Sequence, residues 1–222
     1  TEDLRVLTLI GNRKTVQLYA IALSIIVRIE RLQRNPVTIA IRMCADTFCC
    51  GAVDHTNDIT GRSGSTSLVI CLCERVRIDD TCIPTGEILK VAGTPFDFRS
   101  PKPVGQDIDA DNEQIKNGAG YDHCFVLNKK EVGELSFAVR LTDPKSGRVL
   151  DTYTTEPGVQ VYSDNWATGY PIQNGCTAPR RSSICFECQH FPDSPNRPYF
   201  PSVVLKPGEK YTQKTIYKFS IQ

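Results

Sequence analysis

The chain has 222 residues, 40% of them hydrophobic and 23% charged, with a formal net charge of +1, the profile of an ordinary soluble protein. Acidic and basic residues are interspersed, which excludes a strongly basic nucleic-acid surface and a polybasic membrane patch. The longest apolar run, Leu18 to Val27, contains Ser24 and stops at Arg28, short of the roughly 20 residues that cross a bilayer.

No charged, apolar and small-residue leader opens the chain, and its first residue is Thr1 rather than Met, as expected of a fragment or a processed product. Residues 1–34 are rich in Val, Ile and Leu, with neither helical nor strand period dominant. Asn35 to Ile41 is a strand candidate, and Asn57 to Thr66, with Gly61 and Gly64, is a loop. Ser67 to Cys73 is the next predicted strand. Strands and turns then alternate: Ile88 to Ala92, Cys124 to Leu127, Leu135 to Leu141, Val149 to Thr154, Gly158 to Tyr162, Ser183 to Cys188 and Lys210 to Phe219. Thr85-Gly86, Gly93-Thr94-Pro95, Glu156-Pro157-Gly158 and Lys206-Pro207-Gly208 are predicted turns, and only Asn112 to Lys116 suggests a helical turn. This pattern predicts an all-β, antiparallel sandwich, with residues 1–222 forming a single domain.

Ten cysteines are present: Cys44, Cys49, Cys50, Cys71, Cys73, Cys82, Cys124, Cys176, Cys185 and Cys188. The chain is too long for a small disulfide scaffold, and most of these residues lie in apolar strand-like runs, where Cys behaves as a small hydrophobe. Reduced thiols in the cytoplasm are expected. Cys185-x-x-Cys188 supplies two ligands where structural zinc needs four, and on a strand the two side chains point to opposite faces. No metal is expected there.

Cys185-Phe186-Glu187-Cys188-Gln189-His190-Phe191-Pro192-Asp193-Ser194-Pro195 carries the chemistry. Alternation about Ile184, Phe186 and Cys188 turns Glu187 away from the core. In the Pro-Asp-Ser-Pro turn each proline fixes φ, while Asp193 and Ser194 are expected to bond back to nearby backbone. A carboxylate at a strand end beside a rigid loop suits a general base. Apolar neighbours such as Phe186 are expected to raise its pKa by desolvation. From the strand alone, an exposed or ion-paired glutamate remains the alternative.

Further segments lie in order: Ile83-Pro84-Thr85-Gly86-Glu87, Gly93-Thr94-Pro95-Phe96-Asp97-Phe98-Arg99, Gly120-Tyr121-Asp122-His123, Thr155 to Tyr162, and Phe200 to Glu209. In order and spacing this series resembles the aldose 1-epimerase, or galactose mutarotase, family. The likeness is dense over 83–222, whereas 1–82 diverge. The resemblance implies a large β-sandwich, here lacking the family's N-terminal portion, whose concave face binds sugar.

It also implies interconversion of the α and β anomers of free hexoses such as galactose and glucose, by acid/base ring opening. Glu187 matches the family's base, Asp122 a carboxylate that accepts hydrogen bonds from sugar hydroxyls, and Gln160 a substrate-contacting amide. His123 and His190 match supporting residues. The implied protein is a cytoplasmic monomer with no metal or organic cofactor, whose partner is a small aldose and neither nucleic acid nor membrane.

The divergent part departs from the family where its acid should be. Asn35 to Ile41 is similar to the strand leading into the catalytic histidine motif, yet Ile41-Arg42 stands in the place of Asn-His. His55 corresponds to a later, non-catalytic histidine. The only other histidines are His123 and His190. Asn12-Arg13 is similar to a pair that supplies a sugar-contacting arginine, but the flanking pattern is absent and the role does not pass to Arg13. Two readings stay open: a mutarotase whose missing residues belong to a longer chain, and a catalytically inactive or vestigial carbohydrate-binding homologue.

Overall fold

Apolar residues at alternate positions force successive strands to put one face into a shared interior, and here they build two large antiparallel sheets, apart from a third of only two strands. The computed structural model describes residues 66–166, 169–171 and 177–222, together with three short N-terminal strands. The strands are β1 (Val6–Thr8), β2 (Ile26–Ile29), β3 (Ile39–Cys44), β4 (Ser67–Ile70), β5 (Leu72–Ile78), β6 (Pro84–Lys90) and β7 (Lys102–Pro103). After helix α1 (Glu113–Asn117) come β8 (Asp122–Leu127), β9 (Ser136–Thr142), β10 (Arg148–Thr154) and β11 (Gly158–Tyr162). The last are β12 (Tyr170–Pro171), β13 (Thr177–Ala178), β14 (Ser183–Gln189) and β15 (Thr215–Ile221).

One sheet has six strands in the order β1-β15-β10-β9-β4-β7, and the other has seven in the order β2-β3-β14-β11-β8-β5-β6. Between them lies a core that takes Leu68, Val139, Leu141, Leu150 and Tyr217 from the first sheet. The second contributes Phe125, Val159, Val161, Ile184, Phe186 and Cys188. Phe96 and Phe98 close one side and meet Tyr121 edge to face, with ring centroids 5.7 and 5.1 Å apart, the arrangement that aromatic quadrupoles favour.

Three predicted elements differ from the structure. Ser67 to Cys73 was expected as one strand but divides at a bend at Cys71 between the two sheets. The Cys71 amide donates to Ala138 on β9 at 2.9 Å, and its carbonyl accepts from Asn128 beyond β8 at 3.0 Å, so one residue is held by both layers. The expected Thr85-Gly86 turn lies inside β6. Gly86 adopts φ +100, and the β5–β6 register shifts between Val76 and Ile78, so a bulge absorbs what the sequence presents as a break. The strand expected from Lys210 begins only at Thr215, because no ladder partner continues past the Thr155–Lys214 backbone contact. The helical turn is where it was expected, with the Asn112 side chain accepting from the amides of Gln114 and Ile115.

Candidate functional site

Three adjacent strands, β14, β11 and β8, carry the predicted residues. Val159 and Val161 of β11 enter the core, so Gln160 and Tyr162 between and beyond them face outward. The register sets Gln160 opposite Glu187 on β14 and opposite Cys124 on β8, and Tyr162 opposite Asp122 and Cys185. Glu187, Gln160 and Asp122 therefore share the outer face of the seven-stranded sheet, with Gln160 between the two carboxylates.

Gln160 Nε2 donates to Asp122 Oδ1 at 2.6 Å. Its Oε1 is buried and has no hydrogen-bond partner among the described residues. Burial pushes the Asp122 carboxyl up, and the bond from Gln160 opposes that shift. Glu187 is pushed up to about 7, chiefly by burial and then by the charge of Asp122. The rise through burial is the one expected from sequence, although Phe186 itself lies in the core on the opposite face of β14. Neighbouring residues of a strand point apart, so Glu187 is desolvated by groups on its own side.

A small apolar cluster walls one side of that face. Val76, Cys124, Phe191 and Phe200 pack together, with Phe191 and Phe200 edge to face at 5.3 Å. Phe191 belongs to the loop after β14, which folds back over β11. It can do so because Gly158 has no side chain: a Cβ there would lie 2.9 Å from Cys124 Sγ and 3.0 Å from the Phe191 ring.

That loop is held by side chains. Ser194 Oγ donates to the Phe191 carbonyl at 2.7 Å, as the turn chemistry predicts. The Asp193 carboxylate instead accepts from Asn196 Nδ2 at 2.5 Å and Arg197 Nε at 2.9 Å. Arg197 is long enough to reach it and also donates to the Pro84 carbonyl at 2.9 Å. Asp193 has φ 65, a left-handed conformation that Asp tolerates better than most residues. His190 Nδ1 lies 2.7 Å from Glu156 Oε2, and Tyr211 donates to Glu156 Oε1 at 3.0 Å. The strand end is thereby fastened to the β10–β11 turn and to the C-terminal segment.

The other end of the site rests on a clamp that sequence reasoning missed. Asn165 Nδ2 donates to the carbonyls of Gly118 and Tyr121 at 2.8 and 3.0 Å, and Ser163 Oγ donates to Asn165 Oδ1 at 2.7 Å. Gly120, at φ +139, approaches so closely that a Cβ would meet Asn165 Oδ1 at 2.4 Å. These contacts fix the turn that delivers Asp122. The signal available in sequence was the Gly118-Ala119-Gly120 run, but its partner Asn165 is 47 residues along the chain from Gly118.

His123 is fully buried on the core side. Its Nδ1 accepts the Asp122 amide at 3.2 Å, and its ring meets Phe96 edge to face at 4.5 Å. Burial, with the Arg75 charge, holds its pKa well below the usual histidine value. It is a neutral buttress behind Asp122. Arg13 and His55 lie outside the described residues. Arg42 occurs on β3 at the register position opposite Cys185.

No disulfide joins the described cysteines. Cys185 and Cys188 point to opposite faces, Cys188 into the core. Among the described residues no group of three or more His, Cys, Asp or Glu is placed to hold a metal ion, and no helix is long and apolar enough to cross a membrane.

An outward-facing row of two carboxylates and an amide, on one sheet of a large antiparallel sandwich, defines a sandwich protein with a polar site on a sheet face. The aldose 1-epimerase family model matches residues 61–218, and the chain belongs to that family. It is 43% identical to mouse galactose mutarotase over 145 residues, which make up 65% of this chain and 40% of that protein. It is 34% identical to Escherichia coli aldose 1-epimerase over 194 residues, 83% of this chain and 55% of that one. A crystal structure of an aldose epimerase homologue from C. elegans superposes with a TM-score of 0.65 at 27% identity, covering 83% of this chain and 51% of the other. The chain thus spans about half or less of the length of these relatives.

Proposed function

We propose that this chain binds a free hexose, such as galactose or glucose, on the outer face of the seven-stranded sheet and carries the base of a mutarotase. The observation that carries this reading is the cofacial row Asp122, Gln160 and Glu187, with Glu187 poised at about 7. A mutarotase must take a proton from the anomeric hydroxyl and give one to the ring oxygen. The ring opens, the aldehyde end rotates, and closure from the other face yields the other anomer. Glu187 is the base, since a carboxylate with a pKa near neutrality is both ionised in useful amount and basic enough to take the proton. Asp122 accepts hydrogen bonds from sugar hydroxyls, and Gln160 offers its Oε1 to another.

The acid is the missing half. His123 faces the core and His190 is bonded to Glu156, so neither serves the sugar. Arg42 cannot serve as acid, because a guanidinium does not release its proton near neutral pH. Loss of one acid costs roughly 10²–10⁴-fold in rate, so this chain alone accelerates mutarotation little. The second reading, a carbohydrate-binding homologue without catalysis, is favoured by that same Ile41-Arg42 pair. The proposal includes a monomeric, cytoplasmic protein folded as one domain, with no metal or organic cofactor and no nucleic-acid or membrane partner.

Polarimetry on freshly dissolved α-galactose or α-glucose, beside calorimetric titration of the same sugars, tests it. Binding with little acceleration over buffer is expected. Absence of hexose binding would overturn the proposal, and a rate typical of competent enzymes would overturn the assignment of the missing acid.

A further inference from the structure

Gln160 raises a question that sugar contact alone does not answer. Its amide lies between two carboxylates on adjacent strands, and its two ends are chemically opposite. The Nε2 end donates only and is engaged by Asp122 Oδ1 at 2.6 Å. That contact settles which end is which, because a carboxylate requires a donor. The other end, Oε1, is buried without a partner among the described residues, and the strand on the side away from β8 is β14, where the register partner of Gln160 is Glu187. Directly opposed residues of an antiparallel pair have Cβ atoms about 4.5–5.5 Å apart. A buried Oε1 without a donor is costly, and an ionised Glu187 supplies none.

We infer that Gln160 is a positioning residue that sorts the two carboxylates: its amide nitrogen holds Asp122 as the anion, and its carbonyl oxygen accepts a hydrogen bond from Glu187 once Glu187 carries a proton. The inference rests on the reading of Glu187 as the base. When Glu187 takes the anomeric proton, the electron pair of the O–H bond stays on the sugar oxygen and the proton resides on a Glu187 oxygen. From there it hydrogen-bonds to Gln160 Oε1 until it is returned. Asp122, tied to the donor end, keeps its charge and continues to hold hydroxyls. One amide thereby gives two like groups on one sheet face two different protonation tasks, and environments that push paired carboxylates apart are how acid and base roles are assigned in such sites.

Titratable or charged residues also occur near Glu187 on its own strand and on the elements around it. Cys185 is on its own strand, Tyr162 on β11, and Asp122 and Cys124 on β8. Tyr217 of the first sheet also senses its charge, and β3 brings Arg42 to the position opposite Cys185. None of these side chains offers an amide carbonyl oxygen; Gln160, the register partner of Glu187, does.

The test is a carboxyl-carbon NMR titration of the chain without sugar, so that its outcome is independent of whether hexose binds or reacts. In the native chain Asp122 ionises first and Glu187 later, and the Gln160 side-chain amide resonances move with both steps. Gln160→Met keeps the length and removes both polar ends, and it narrows the separation of the two midpoints by about one pH unit. Gln160→Glu serves as a second variant, restoring an oxygen but losing the donor, and raises the Asp122 midpoint. An unchanged separation in Gln160→Met would overturn the inference. So would Gln160 amide resonances that follow neither carboxyl, a measurement that needs no variant to fold. Loss of sugar binding with the titration as expected would instead count against the proposed function alone.

Discussion

The two faces of the same three strands make the informative comparison. Inward from β8, β11 and β14 point His123, Phe125, Val159, Val161, Ile184, Phe186 and Cys188, all in the interior. Outward stand Asp122, Cys124, Gln160, Tyr162, Cys185 and Glu187. The inner set is stabilised by burial and close packing, each large side chain contributing about 1.5–3 kcal/mol relative to exposure. The outer set is partly desolvated without being fully paired: Gln160 Oε1 has no partner among the described residues, and Glu187 is pushed up to about 7. Polar groups left in this condition cost some stability, and such groups cluster at functional sites.

The comparison can be broken from the inner side first. Phe186→Ala should cost about 3–5 kcal/mol in urea unfolding, because it opens a cavity in a rigid interior. Next in size is the turn behind Asp122. Gly120→Ala places a Cβ against Asn165 at φ +139, and a strained backbone with a displaced clamp should cost about 2–4 kcal/mol by the same assay.

The outer face should respond with the opposite sign. Glu187 binds its proton more tightly in the fold than in the unfolded chain, where its pKa is the ordinary 4.5 rather than about 7. Between those values the folded state holds more protons, so its contribution is full below about 4.5 and is lost as pH rises through about 7. Glu187→Gln should therefore be more stable than the native chain above pH 7, by on the order of 3 kcal/mol, and equal to it in acid. Thermal unfolding across that range measures the difference. The same substitution should abolish whatever mutarotation exists while changing sugar affinity less than about tenfold, or about 1.4 kcal/mol. Asp122→Ala should do the reverse in emphasis, weakening hexose binding by about 1.5–3 kcal/mol through loss of a charge-assisted hydrogen bond, as read by calorimetry.

Much of this arrangement was legible in the chain itself. Period-2 alternation was enough to turn Glu187 outward and to separate Cys185 from Cys188, and Asn112 announced the only α-helix among the described residues. Asp122, Gln160 and Glu187 were named from motifs, but their adjacency depends on the strand order β14-β11-β8. No local pattern encodes that order. Desolvation of Glu187 by apolar neighbours was legible, although Phe186, one such neighbour in sequence, lies on the opposite face, since sequence adjacency on a strand means opposition in space. The bulge at Gly86, the bend at Cys71 and the Asn165 clamp were illegible for the same reason: each is set by a partner from a distant part of the chain.

The central claim is that one strand face carries a base near neutrality while its other face is ordinary core. A pH titration of the Glu187 carboxyl by carbon NMR, with and without galactose, tests it most directly. A midpoint near 7 that galactose displaces is the predicted result; a midpoint at the ordinary 4.5, indifferent to galactose, would contradict it.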